Sequence, residues 1–330
     1  MTTSMVPPPS MRTRAQDYLT MRRALGYRLE GQGRLLLDFA DHMDRTGQSR
    51  LTTQAALRWA TQSPDTTAVT RRLRLSVIRC FARHLATLDS TCEIPPTGLL
   101  RAPSRRPTPY LYSLAEISAL IHAAGTLPAP LPAATYQALI ALLAATGMRV
   151  GEALTLERTE VDLDDGVLHV TGKYDKVRLV PLHPSTTAML NDYAARRDQL
   201  CPNPPTAFFF ITTTGNPVHP NLARRTFWQL LDWAGIHTPP GRPRPRIHDL
   251  RHTFAVATYL RWYTEGTDVH AGAPALATYL GHRCPSDTYW YLSAAPELLA
   301  LAAGRLQPLE EGPARPLSRR SSRASSPTTS

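Results

Sequence analysis

Of the 37 lysine and arginine residues in this chain of 330, only two are lysine, Lys173 and Lys176. A lysine ammonium can give up a proton when its surroundings favour the neutral form, and an arginine guanidinium cannot. Placing two lysines at random on the basic positions would put both among Lys173, Lys176 and Arg178 roughly once in two hundred trials, so this stretch reads as one where proton donation is needed as well as charge. Other side chains with chemistry stand in short clusters: Arg149 within Ala145-Thr146-Gly147-Met148-Arg149-Val150-Gly151-Glu152, His248 and Arg251 within His248-Asp249-Leu250-Arg251-His252, His282 after Leu280-Gly281, and Tyr291 within Thr288-Tyr289-Trp290-Tyr291-Leu292. Guanidinium forks bind anionic oxygens through several charge-assisted hydrogen bonds. Imidazole moves protons near neutral pH. A phenol, with a pKa near 10, becomes a nucleophile only when a neighbour takes its proton or cations lower that value.

Each of these residues also has a quieter explanation. Arg149 can pair with Glu152 three positions along a helix. His248 and Arg251 can form a solvated helix start that Asp249 stabilises, and His282 can satisfy the carbonyls that end a helix. A lone Lys173 can be an ordinary exposed turn residue. Tyr279 and Tyr289 compete with Tyr291, and packing is the commoner fate of an aromatic. A metal-dependent nuclease would need clustered carboxylates. Asp162, Asp164 and Asp165 are clustered, but they alternate along a strand and turn and read as hairpin residues.

Taken in chain order, these pieces resemble the tyrosine recombinase (phage integrase) family, and the resemblance covers nearly all of Ser113 to Ala303. It implies that Arg149, Lys173, His248, Arg251 and His282 surround one scissile phosphate, with Tyr291 as the nucleophile. Charge that develops on the non-bridging oxygens suits two arginine clamps. His248 would take the phenol proton, and Lys173 would protonate the departing 5′ oxygen. Lys176 stays open as the alternative acid. Tyr291 keeps the family's distance from His282, whereas Tyr289 is out of register by two and faces elsewhere on a helix. The product would be a 3′-phosphotyrosyl bond, made without metal or nucleotide cofactor. The resemblance further implies a two-domain DNA clamp, mainly α with a small antiparallel sheet. Its partners would be double-stranded DNA and further copies of the chain, as a tetramer on two sites, with accessory recombination proteins as a further class. A topoisomerase of the related type IB and a catalytically inactive DNA-binding relative are the competing readings, and the intact residue set argues against the second.

The elements that must position these residues can be read from periodicity. From Arg12 to about Leu88 the pattern is helical, with apolar positions at Leu35, Leu36, Phe39 and Ala40, and again at Leu73, Val77, Ile78, Phe81 and Leu85. The second set also carries Arg71, Arg72, Arg74, Arg79 and Arg83, a cationic face able to meet phosphates. Proline and arginine then dominate between Pro95 and Pro109, so residues 95–112 read as an interdomain linker, in which Arg105 and Arg106 are further candidates for DNA contact. Residues 12–94 form the helical DNA-binding domain and 113–306 the catalytic domain, which opens with a capping box from Ser113 to Glu116. A helix over Tyr136–Ala145 ends at Gly147. Strands follow at Val161–Leu163, Val167–Val170 and Val177–Leu182, the first two joined by Asp164-Asp165-Gly166. Helices are expected over Pro184–Arg197, Asn221–Ala234, Asp249–Tyr263, Ala273–Leu280 and about Asp287–Ala303. Residues 1–11 and 307–330 read as disordered, the latter from its serine, arginine and proline content.

Composition agrees with such a partner. The formal charge is +11 and the chain is 42% hydrophobic, which fits a folded protein drawn to a polyanion. Cys80, Cys92, Cys201 and Cys284 stand apart, without the spacing of a zinc site or redox pair. Met1–Ser10 lacks the apolar stretch of a secretory signal, and no stretch is long enough to span a bilayer, so the expected location is cytoplasmic.

Overall fold

The computed structural model describes residues 9–102, 108–172, 177–238 and 240–282. It divides into two compact units, Met1–Arg106 and Pro107–Ser330. The architecture is mainly α-helical with one small antiparallel sheet.

The first unit holds α1 (Met11–Ala24), α2 (Glu30–Arg45), α3 (Thr53–Thr61) and α4 (Ala68–Leu88). Ser10, Thr52 and Thr67 cap α1, α3 and α4, each accepting the backbone N–H three residues ahead, which satisfies a donor that has no partner within the helix. The core gathers Leu36, Phe39, Trp59, Ile78, Phe81 and Leu85, with the Phe39 and Trp59 rings edge to face at 5.4 Å. Leu73 does not join it. That side chain is 48% exposed, while Leu75 is 1% exposed. The buried stripe of α4 runs Leu75, Ile78, Phe81, Ala82, Leu85 at helical spacing, and Leu73, five positions before Ile78, falls off it.

Residues after α4 do not leave the unit at once. Glu93 donates its N–H to the Leu51 carbonyl at 3.0 Å. Arg79 donates Nε to Pro95 O at 2.7 Å and Nη2 to Pro96 O at 2.8 Å. Proline composition correctly excludes helix and sheet here, yet Pro95 and Pro96 are fastened to α4 because their carbonyls remain acceptors.

The second unit opens with α5 (Leu114–Gly125). Its capping box has both expected bonds, Glu116 N–H to Ser113 Oγ at 3.2 Å and Ser113 N–H to Glu116 Oε2 at 2.7 Å. Then follow α6 (Pro130–Thr146), α7 (Val150–Leu154), strands β1 (Val161–Asp162), β2 (Val167–Thr171) and β3 (Val177–Pro181), and helices α8 (Pro184–Leu200), α9 (Pro220–Trp233), α10 (Asp249–Thr264) and α11 (Val269–Leu280). The sheet order is β1-β2-β3, antiparallel throughout, with Leu168 facing Val180 and Thr171 facing Val177. Asp162 Oδ1 accepts the N–H groups of Asp164 and Asp165 at 3.1 and 2.9 Å, so the acidic cluster closes the hairpin turn. One core packs α5, α6, the sheet, α8 and α9 around Leu139, Leu142, Phe209, Phe210 and Phe227, and a second cluster joins α10 to α11 through Val256, Tyr259 and Leu276.

Two helices begin earlier than periodicity suggests. α6 starts at Pro130, because proline at a first helical position loses no needed donor. α11 starts at Val269, capped by Asp268, which accepts the N–H groups of His270 and Ala271; Pro274 then sits inside the helix and not at its start. Among the described residues, no helix is long and apolar enough to cross a membrane. The helix expected about Asp287–Ala303, residues 1–8, the 307–330 segment, Arg105, Arg106, Lys173, Lys176, Tyr289 and Tyr291 lie outside the described residues. Ser10 and Met11, expected in a disordered N-terminus, instead cap and open α1, with Met11 buried in the core.

Candidate active site

Arg149 stands at the turn between α6 and α7. α6 ends in Gly147, whose φ of 61° is left-handed, and a Cβ there would lie 2.5 Å from Cδ1 of Phe254. Glycine is thus required twice, for the backbone angle and for the close approach of α10. The turn sends Arg149 out with its N–H bonded to Glu152 Oε2 at 3.0 Å and its Nη1 to Glu152 Oε1 at 2.7 Å. The ion pair that offers the quieter reading is real, but it uses only part of the guanidinium. Nη2 reaches the carbonyl of Gly281 at 2.7 Å.

His248 and Arg251 flank the start of α10, and that start is not a solvated one. Asp249 is 2% exposed and accepts the Arg246 N–H at 2.8 Å and Arg246 Nη2 at 2.9 Å. Arg251 is also 2% exposed. It donates Nη1 to the Gly147 carbonyl at 2.9 Å and Nη2 to the Leu280 carbonyl at 2.8 Å. A single side chain therefore ties the first turn of α10 to the ends of α6 and α11.

Helix α11 closes in a left-handed Gly281, with the N–H of His282 returning to the Ala277 carbonyl at 2.9 Å. The Gly281 N–H takes the Thr278 carbonyl at 2.9 Å, and the three carbonyls after it each meet an arginine from a different element: Arg178 Nε to Tyr279 O at 3.0 Å, Arg251 to Leu280 O and Arg149 to Gly281 O. The last carbonyls of a helix lack partners within it and carry the negative end of its dipole, so guanidinium groups are drawn there. These arginines satisfy the carbonyls of Tyr279, Leu280 and Gly281. Gly281 leaves them room, since a Cβ at that position would lie 3.0 Å from Arg178 Nη1 and 3.4 Å from Arg149 Nη1.

Arg178 is a site residue that the motif reading passed over. Its Nη2 and Nη1 meet Glu152 Oε2 and Oε1 at 2.6 and 3.2 Å. Glu152 is the carboxylate shared by Arg149 and Arg178, and its side chain is 10% exposed. Burial raises its pKa, but bonds and charges from Arg178 and Arg149 outweigh that and hold it below the usual carboxylate range. A signal for Arg178 was present in the alternation of β3, where it shares a face with the buried Val180.

The imidazoles are tuned by the same surroundings. Burial, then the charges of Arg251, Arg246 and Arg149, set against attraction from Asp249, depress the pKa of His248 below its ordinary 6.5. The His252 ring lies 5.1 Å from that of His248, nearly perpendicular to it. Burial, with His248, Arg246, Arg251 and His282 adding to it, takes His252 down to about 3. Both rings are therefore neutral at pH 7. Tyr279 is a packing residue, stacked on Phe254 at 5.8 Å, and burial pushes its phenol up against the pull of Arg178. Arg149, His248, Arg251 and His282 thus gather at one place.

The arginines of α4 divide into two kinds. Arg71 donates to Pro64 O at 2.8 Å, Arg74 lies over the Trp59 ring at 5.0 Å and Arg79 holds Pro95 and Pro96, so these three brace the first unit itself. Arg72 and Arg83 stand exposed. A uniform cationic face is therefore not what α4 presents.

The phage integrase family model matches residues 113–297. An integrase/recombinase of Sinorhizobium fredii, y4rB, is 39% identical over 305 residues, covering 90% of this chain and 97% of that protein. Tyrosine recombinase XerD of Xanthomonas axonopodis pv. citri is 35% identical over 251 residues, covering 72% of this chain and 76% of that one. A lambda integrase tetramer bound to a Holliday junction is similar in fold, with a TM-score of 0.59 and 15% identity over 86% of this chain and 78% of that one. With an arginine and histidine cluster where the motifs place it and relatives matched over most of their length, the chain belongs to the phage integrase family of tyrosine recombinases.

Proposed function

We propose that this protein is a site-specific DNA recombinase in which Arg149 and Arg251 bind the non-bridging oxygens of a scissile phosphate and Tyr291 attacks its phosphorus. The observation that carries this reading is the bonding of Arg149 and Arg251 to the adjacent carbonyls of Gly281 and Leu280, beside His282, from helices about 100 residues apart in sequence. Glu152 bonds two of the site's arginines, Arg149 and Arg178, and Arg251 meets only backbone carbonyls in its described bonds, so the cluster leaves a positive site suited to a phosphodiester. His248, neutral at pH 7, takes the phenol proton. As the Tyr291 oxygen bonds to phosphorus, the bond to the 5′ oxygen breaks, and Lys173 or Lys176 supplies the proton that makes it a hydroxyl. A 5′ hydroxyl from another strand reverses the sequence, so the exchange is nearly isoenergetic and consumes no cofactor.

The partners follow from that chemistry. Exchange between two duplexes needs several protomers on double-stranded DNA, which supports a tetramer on two sites, and the lambda integrase neighbour is a tetramer bound to a Holliday junction; accessory recombination proteins are a further partner class. Arg72 of α4 is the described arginine of that helix assigned to phosphate contact, with Arg105 and Arg106 beyond the described residues. The decisive measurement is covalent trapping on a nicked suicide duplex. Tyr291→Phe should form no adduct while binding DNA near normally, and Lys173→Arg should bind but cleave slowly. An adduct formed by the phenylalanine variant would remove Tyr291 from the role.

A further inference from the structure

We infer that Arg178 is a positioning residue whose task is to register strand β3, and with it the lysine-bearing connection from β2, against the arginines that bind the phosphate. Its guanidinium makes three bonds to two separate elements. Nη2 and Nη1 take both oxygens of Glu152 on α7, and Nε takes the Tyr279 carbonyl at the end of α11. Glu152 is also bonded to Arg149, and Gly281, two residues after Tyr279, is bonded to Arg149 as well. The result is a closed ring running Arg149, Glu152, Arg178, Tyr279 to Gly281 and back to Arg149.

A ring of this kind fixes relative position better than any single bond, because moving one member strains every other. The Arg178 side chain is 15% exposed and that of Glu152 is 10% exposed, so the pair is screened less than a surface pair and needs the full set of partners. Lysine could not replace it, since an ammonium lacks the planar fork that spans a carboxylate and a carbonyl at once. Within β3, Arg178 follows Val177, which pairs with Thr171 of β2. The ends of the connection carrying Lys173 and Lys176 are thus held by the ladder, and the ladder is held to the phosphate site by Arg178. This inference rests on the proposed role of those lysines as proton donors to the leaving oxygen.

Replacing the scissile 5′ oxygen with sulfur tests both ideas. A thiolate leaves without a proton, so 5′-bridging phosphorothiolate DNA bypasses the acid while still requiring Tyr291, Arg149 and Arg251. Arg178→Met should slow single-turnover cleavage of ordinary DNA about 100-fold and restore it to within a few-fold of the unsubstituted protein on the sulfur substrate. Arg178→Lys, which keeps the charge, should show the same selective rescue with a smaller defect, and it carries the test if the methionine variant does not fold. Equal losses on both substrates with Arg178→Met or Arg178→Lys would overturn the inference, as would ordinary-DNA cleavage at the unsubstituted rate. Lys173→Ala and Lys176→Ala run in parallel separate the two readings. If neither lysine variant is rescued by sulfur, the acid assignment fails; if one is rescued and the Arg178 variants are not, only the present inference fails.

Discussion

At the scale of single residues, the site is a problem in keeping some groups charged and others neutral within a few ångströms. Arg149, Arg178 and Arg251 cannot lose their protons, and among the described residues Glu152 is the carboxylate that bonds Arg149 and Arg178. A protonated imidazole in the same place would add to the repulsion, and burial with nearby cations holds His248 below its ordinary value and His252 at about 3. A depressed pKa leaves His248 an acceptor across the neutral range, with the proton arriving only on acidification. The acid limb of kcat/KM for DNA cleavage, which reports the free protein, should therefore fall below pH 6.5. His248→Gln should slow cleavage and flatten that limb. A limb at or above 6.5, or one unchanged in the glutamine variant, would assign it to another group.

Elements carry the geometry through their ends. Three residues with chemistry lie at helix boundaries, Arg149 between α6 and α7, His248 just before α10 and His282 just after α11. Helix ends offer unpaired backbone groups and sharp changes of chain direction, and both are used here. Gly147 is the clearest instance, since its left-handed angle turns the chain, its carbonyl receives Arg251 and its missing side chain admits Phe254. Gly147→Ala should cost about 1–3 kcal/mol from the backbone angle alone, and the contact with Phe254 adds to this. Thermal unfolding should show a lower Tm for the transition of the second unit. An unchanged Tm would mean that the turn relaxes without cost.

For the whole molecule, charge and bracing have to be distinguished. A chain of net charge +11 binds duplex DNA largely by displacing counterions, so affinity should fall steeply with salt. Arg72→Ala should lower the log–log salt slope by about one and weaken binding evenly across sequences. Arg79→Ala should act differently. It leaves the Pro95 and Pro96 carbonyls without their donor, so the loss should appear first as reduced stability of the first unit. Filter binding across a salt series, with unfolding of the same variants, separates the two effects. Equal salt slopes for Arg72→Ala and the unsubstituted protein would remove Arg72 from the phosphate contacts.

Sequence by itself determined the class of elements and the identity of the chemistry. The capping box at Ser113, the glycine stop at Gly147 and the alternation of β2 and β3 were legible because each depends on neighbours within a few positions, whereas Arg149, His248, Arg251 and His282 were singled out by the family resemblance of their order along the chain. Tertiary structure alone decided which side chains share one carbonyl ladder. Nothing local says that Arg149, Arg178 and Arg251 end at Gly281, Tyr279 and Leu280, or that Asp249 is buried on Arg246. Nor does periodicity distinguish Arg72 from Arg79 on α4, since one faces solvent and the other a proline segment that folds back on the helix. The reason is range: helical and strand patterns are set by near neighbours, whereas a guanidinium is claimed by whichever acceptors the packed chain brings within about 3 Å.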